Sequence, residues 1–274
     1  MSIAQIQISN QTLQKLQSAS GPYPIRPYYN YGGRILFYDG FEDGILRWTQ
    51  NDNNNAGTGA TFITSRISRS GSKSLVIHMP EGQKFFQDAN IGIPVHPASY
   101  PNGFPIIGLE AHILLLADSG LFGMSVERYN AGTNSKYEWR VEYNVSGGNA
   151  ANWRHIYGTG GVSGENILAQ TVLSPSVGAG GAPQGGVPGW GMWYPVKLVA
   201  DLNNVGAAGL ILHSGDEIST ATANGVNDGN EAYGGAHLPS DMVKIEFHVG
   251  GQGGSSACDF YIDDVFVTLE NSLQ

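Results

Sequence analysis

From Tyr137 to Asn144 apolar and polar residues alternate without a break. Tyr137, Trp139, Val141 and Tyr143 fall on one side, and Glu138, Arg140, Glu142 and Asn144 on the other. A period of two describes a strand that buries one face, and it is incompatible with the 3.6 period of a helix. The same habit recurs along the chain. RILFYD, LFGMSVERYN, NWRHIYG, WYPVKLVAD, GLILHS, MVKIEFHVGG and CDFYIDDVFVTLE are short, β-branched or aromatic runs bounded by Gly, Ser, Asn or Pro. GTGATFITSRISRSGSKSLVIHMP holds two more runs about the turn RSGSK. FPIIGLEAHILLLAD is the most apolar run, and Gly108 with its β-rich neighbours makes it a central strand rather than a helix. Ten to twelve strands at this spacing predict a sandwich or jelly roll.

Composition closes the alternatives. Only 14% of the 274 residues are charged, against roughly 25% in an ordinary globular protein. Long amphipathic helices need more charge than that. Glycine stands at 39 positions, without the Gly-X-Y period of collagen. No stretch approaches the ~20 apolar residues of a membrane-spanning helix. The net charge of −9, with no Lys/Arg cluster, argues against nucleic acid as a partner. The single cysteine, Cys258, rules out an intrachain disulfide and a multi-cysteine zinc site. It reads as a small buried residue of a late strand.

Residues 1–33 predict an extended arm. IAQIQIS suits a short strand, and GPYPIRPYYNYGG carries three prolines and four tyrosines. Proline fixes φ and removes a donor, so this ribbon has no core of its own and must lie on its own domain or on a neighbour. The sandwich domain is expected over 34–274. Two Gly-rich or polar stretches, about 158–191 and 219–236, read as long loops.

Four motifs carry a resemblance. Tyr38-Asp39-Gly40-Phe41-Glu42-Asp43-Gly44 followed by Trp48 resembles the opening of carbohydrate-binding-module jelly rolls. Tyr261-Ile262-Asp263-Asp264-Val265 resembles their closing strand. Ser70-Gly71-Ser72-Lys73-Ser74-Leu75 resembles a turn and strand between them. Trp193-Tyr194-Pro195-Val196-Lys197-Leu198 resembles a strand shared with concanavalin-A-like sandwiches. The resemblance implies an all-β fold, a jelly-roll β-sandwich of two antiparallel sheets. It also implies a structural calcium ion between the first and last strands, held by Glu42 and Asp264, with Asp39, Asp263 and the main-chain oxygen of Lys73 next. Calcium takes six to eight hard oxygens, which acids at both ends of the chain supply. Because successive strand residues point to opposite faces, only one of Asp263 and Asp264 is expected to face the ion.

The resemblance further implies a sugar-binding surface, since the C–H faces of sugars stack on aromatic rings. The aromatic candidates are Trp190, Trp153 and Tyr157, with Tyr137, Trp139, Tyr143 and Trp193 as further rings that alternation assigns more simply to the core. Trp190 stands apart, because it sits in a Gly/Pro stretch. No residue is assigned as catalytic. Glu138, Arg140 and Glu142 read as a polar strand face with cross-strand pairing. No zinc, nucleophile-elbow or phosphate-loop motif occurs among the seven histidines and 39 glycines.

The N-terminus carries no secretory signal peptide: MSIAQIQISNQTLQKL lacks a basic start and an apolar stretch. Yet the charge-poor composition resembles that of extracellular proteins. Release by lysis reconciles the two. The sequence therefore predicts a structural subunit of a viral or extracellular assembly, such as a phage capsid decoration or tail protein, located in a virion or extracellular assembly. Homo-oligomer or other assembly contacts run through the arm, glycans are a further partner, and no membrane is involved. The alternative is a carbohydrate-binding, lectin-like protein, and the third reading is a polysaccharide-active enzyme.

Overall fold

The protein is represented by a computed structural model that describes residues 34–52, 59–80, 86–95, 104–116, 121–130, 135–144, 152–157, 169–172, 193–203, 210–214, 217–220, 231–232, 242–250 and 257–272. The expected arm at 1–33 and Trp190 lie outside the described residues. So does most of the two stretches read as loops.

Sixteen strands are described. In chain order they are β1 (Arg34–Asp39), β2 (Thr49–Asp52), β3 (Ala60–Thr64), β4 (Ser74–Met79), β5 (Phe86–Pro94), β6 (Ile106–Leu115), β7 (Leu121–Asn130) and β8 (Ser135–Asn144). Then come β9 (Asn152–Tyr157), β10 (Ala169–Val172), β11 (Trp193–Asp201), β12 (Leu210–Ser214), β13 (Glu217–Thr220), β14 (Glu231–Ala232), β15 (Met242–Gly250) and β16 (Cys258–Glu270). They form two eight-stranded sheets. Sheet I runs β13-β12-β11-β6-β16-β4-β3, with β1 also on β16. Sheet II runs β10-β9-β8-β7-β15-β5-β2, with β14 also on β8. Every pairing is antiparallel. This is the jelly-roll β-sandwich that the sequence predicts.

The two sheets face each other through the apolar side of each alternation. Leu75, Ile77, Leu109, Ile113, Leu198, Phe260 and Ile262 of sheet I meet Met124, Val126, Trp139, Val141, Ile245 and Phe247 of sheet II. Phe122 of sheet II stacks on Phe260 of sheet I at 5.9 Å and on Phe247 at 6.2 Å, which places an aromatic column at the centre. Trp48, from the turn after β1, lies 5.3 Å from Phe247. Burial of such large rings supplies the main driving force for closing the sandwich.

Three sequence expectations are corrected. Residues 169–172, placed within a loop, form β10 and pair with β9. Residues 217–220 and 231–232, placed in or beside the second polar loop, form β13 and β14. β2 and β5 were also missed. TQND and FQDANIGIP are polar or irregular, and their pairing with each other and with β15 is what makes them strands. Tertiary partners override weak local propensity in a sheet.

The outward face of sheet I buries an ion pair. Lys197 Nζ lies 2.6 Å from Glu270 Oε1, with their side chains 1% and 3% exposed. Thr268 donates its hydroxyl to the same carboxylate.

Candidate functional site

β15 reads Lys244-Ile245-Glu246-Phe247-His248-Val249. Ile245, Phe247 and Val249 enter the core, so Lys244, Glu246 and His248 lie together on the opposite face of sheet II. The register aligns them with the polar sides of β7 and β8. Lys244 stands opposite Glu127, which stands opposite Glu138. Glu246 aligns with Ser125 and Arg140. His248 aligns with Gly123 and Glu142. The side face that the alternation of β8 exposes is thus the floor of a polar patch three strands wide.

Each row has its own logic. Glu127 and Glu138 are like charges directly opposite, an arrangement that costs stability unless a cation intervenes. Lys244 is that cation, since Nζ donates to Glu127 Oε1 at 3.0 Å and lies 2.5 Å from Glu246 Oε2. Carboxylate oxygens of Glu127, Glu138 and Glu246 lie within 4.8 Å of one another. The ammonium already offsets part of this trio's charge, and a divalent ion there would compete with it.

In the third row His248 Nε2 is 3.2 Å from Glu142 Oε1, and both side chains are 1% exposed. Arg140 also contacts Glu142. A Cβ at Gly123 would overlap the His248 ring, so the missing side chain there is what lets the imidazole reach Glu142.

The carboxyls have been driven apart in acidity. Burial, with Glu127 beside it, pushes Glu246 up to about 7. Burial also pulls Glu142 upward, but Arg140 and the His248 hydrogen bond outweigh it and hold Glu142 below its ordinary value. Burial holds His248 below its ordinary value, with Arg140 acting the same way. Lys244 is pushed up by Glu127 and Glu246 against the pull of burial. Near neutral pH the patch therefore carries a neutral imidazole, an ionised Glu142 and a Glu246 on the edge of ionisation.

Two buried oxygens on this face have no hydrogen-bond partner: Ser125 Oγ and Glu142 Oε2. Ser125 is 0% exposed. Buried polar groups are almost always paired, so such orphans mark places where water or a ligand hydroxyl completes the structure. Around them, Glu138, Arg140 and Lys244 are half-buried.

Of the aromatic candidates, Trp153 is 1% exposed, 5.3 Å from Tyr143 and 6.4 Å from Phe122. It is part of the inter-sheet core and offers no face to a sugar. Trp139 and Tyr143 are buried there too, as the alternation of β8 requires. Tyr157 closes β9 opposite Ala169. Trp190 lies outside the described residues.

The acids expected around calcium do gather at one seam, where β1, the 66–73 turn and β16 meet, but each is closed by a donor of the protein. Asp39 accepts from Phe41 N at 2.9 Å and Trp48 Nε1 at 3.1 Å. Glu42 accepts from the amides of Ser72 and Lys73 at 2.8 and 2.9 Å and from Ser72 Oγ at 3.0 Å. Lys73 Nζ donates to Glu42 O at 2.9 Å. Asp263 accepts from the amides of Arg69, Ser70 and Asp264. Asp264 accepts from Arg69 at 2.6 Å, Ser70 Oγ at 2.7 Å and Tyr38 Oη at 3.1 Å. A guanidinium thus occupies Asp264, main-chain amides and a hydroxyl occupy Glu42, and the Lys73 ammonium takes the Glu42 carbonyl. In this arrangement the donor set does not fit a calcium ion.

The expectation that only one of Asp263 and Asp264 turns toward the seam is also corrected. The β16–β6 register shifts between Asp263 and Phe266, and Asp264 takes φ +49°. This irregularity inserts an extra residue, breaks the alternation and turns both carboxylates onto Arg69 and Ser70.

No protein-family model matches the sequence, and no curated protein matches it. Solved structures do resemble it. Cellulose induced protein Cip1 is 11% identical, over 84% of this chain and 96% of its own, at a TM-score of 0.48. The endo-β-1,4-glucuronan lyase of the fungus Trichoderma reesei is 14% identical, over 86% and 95%, at 0.45. The family 11 carbohydrate-binding module of the cellulase Lic26A-Cel5E of Clostridium thermocellum is 12% identical, over 90% and 99%, at 0.40. The likeness to jelly-roll carbohydrate-binding modules read from the four motifs recurs among these structures. At such identities it concerns the fold, and it carries no residue role or ligand to this chain.

Proposed function

We propose that this chain is a carbohydrate-binding protein whose saccharide lies on the outward face of sheet II. The observation that supports this reading is the polar face that β7, β8 and β15 build in register, where Glu138, Arg140 and Lys244 are half-buried above a buried floor of Glu and His side chains. A sugar hydroxyl is both donor and acceptor, and a surface that mixes carboxylates with cationic donors satisfies both roles. The four carboxylic acids Glu127, Glu138, Glu142 and Glu246 face only two cations, Lys244 and Arg140, so the patch has no excess of positive charge, which suits a neutral glycan better than a polyanion. The assembly-subunit reading rested on the missing signal peptide, the charge-poor composition, residues 1–33 and the long loops, and no contact among the described residues speaks for it.

The test is retention of the full chain on an array of neutral and acidic glycans, repeated with Glu138→Gln and Lys244→Met. Retention on neutral glycans, weakened about tenfold or more in either variant, is expected, since losing one charge-assisted hydrogen bond costs roughly 1.5–3 kcal/mol. No retention across the array, or retention unchanged in both variants, overturns the proposal.

A further inference from the structure

We infer that the seam between β1, the 66–73 turn and β16 is closed by the protein's own cations, Arg69 and Lys73, and takes no calcium. Jelly rolls of the kind this chain resembles imply an ion at this place, so the inference is a departure from the resemblance. It stands on what each oxygen already does. Glu42 reaches across to the turn and accepts two main-chain amides and a hydroxyl there, in the manner of a carboxylate capping a turn. Its carboxylate packs against Gly71, where φ is +58° and no side chain intrudes. Lys73 sends its ammonium back to the carbonyl of Glu42, so the two residues clasp each other in both directions.

The second clasp is Asp264 with Arg69. The guanidinium takes Oδ2, while Ser70 and Tyr38 take Oδ1. Asp263 next to it is filled by three amides. A calcium ion needs six to eight oxygens turned inward on one point. Here each acid is taken up by separate donors: Asp264 carries the Arg69 guanidinium, and the Lys73 ammonium holds the main-chain oxygen of Glu42. Coulomb repulsion from Arg69 and Lys73 disfavours a further dication.

The measurement is thermal unfolding of the full chain in EGTA and in millimolar calcium chloride, with terbium luminescence alongside. Terbium binds in calcium sites, and Tyr38 and Trp48, hydrogen-bonded to Asp264 and Asp39, are placed to sensitise it. The inference expects one Tm in both buffers and no saturable terbium emission. A Tm that falls in EGTA, or saturable emission competed away by calcium, overturns it. Arg69→Gln is expected to lower Tm equally with and without chelator, and an unchanged Tm also counts against the inference. If that variant does not fold, the wild-type measurements alone decide.

Discussion

The His248 ring occupies the volume that a side chain at Gly123 would need, and from there it reaches Glu142. Two strands thus share one space, with the bulk on β15 and the vacancy on β7. Gly123→Ala is expected to destabilise the protein by about 1–3 kcal/mol, the usual cost of overpacking. It is also expected to push His248 off Glu142. Denaturant unfolding measures the first effect, and a histidine titration followed by NMR measures the second.

Glu246 offers a pH prediction with a definite sign. Its folded acidity is about 7 against an ordinary value of 4.5, so in the folded state it keeps its proton where the unfolded chain has lost it. Stability from this group is full below about 4.5, declines as pH rises through the window to about 7, and is flat above. The groups facing it are Glu127, Glu138, Lys244 and His248. His248 acts oppositely below its ordinary value, because its folded form resists protonation. The difference between wild type and Glu246→Gln isolates the carboxyl. The variant is expected to gain stability relative to wild type between pH 5 and pH 8, and a difference constant across that range is the contrary result.

The Lys197–Glu270 pair on sheet I tests what a buried ion pair contributes. Lys197→Met leaves Glu270 buried without its cation and is expected to cost about 3–5 kcal/mol. Replacing both, Lys197→Met with Glu270→Leu, is expected to recover most of that loss, because an apolar pair of similar volume avoids desolvation. Urea midpoints of the two single variants and the double variant give the coupling.

Trp153 separates core from surface. Trp153→Ala is expected to cost about 3–5 kcal/mol through the cavity it opens against Phe122 and Tyr143. Trp153→Phe, which keeps most of the volume, is expected to bind glycans as the wild type does. A clear loss of binding in a folded Trp153→Phe protein would contradict the assignment to the core.

The parts of this molecule that were legible in the sequence are those with a strong local period. Tyr137, Trp139, Val141 and Tyr143 enter the core together, and the central place of β6 follows from its apolar run. The polar patch was half legible. Glu138, Arg140 and Glu142 form one face by alternation, but their partners Lys244, Glu246 and His248 come from a strand about a hundred residues later, beyond any local pattern. The signal available was in β15 itself, where three ionisable residues recur at period two inside an otherwise apolar strand. The burial of Trp153 was not legible, because a short strand rich in polar residues does not reveal which side is covered. The orientation of Asp264 escaped, because an irregularity in strand pairing leaves no mark in sequence spacing.

β16 lies between β6 on one side and β4 with β1 on the other, so sheet I is two separate halves until residues 258–270 arrive. A ribosome emits those residues after the fifteen other described strands. Until then no strand pairing among the described residues joins β1, β3 and β4 to β6, β11, β12 and β13, and open edges invite pairing with other chains. Nascent chains are thus committed to wait, and a stalled or prematurely terminated product would be a target for holding chaperones or degradation rather than a smaller folded protein.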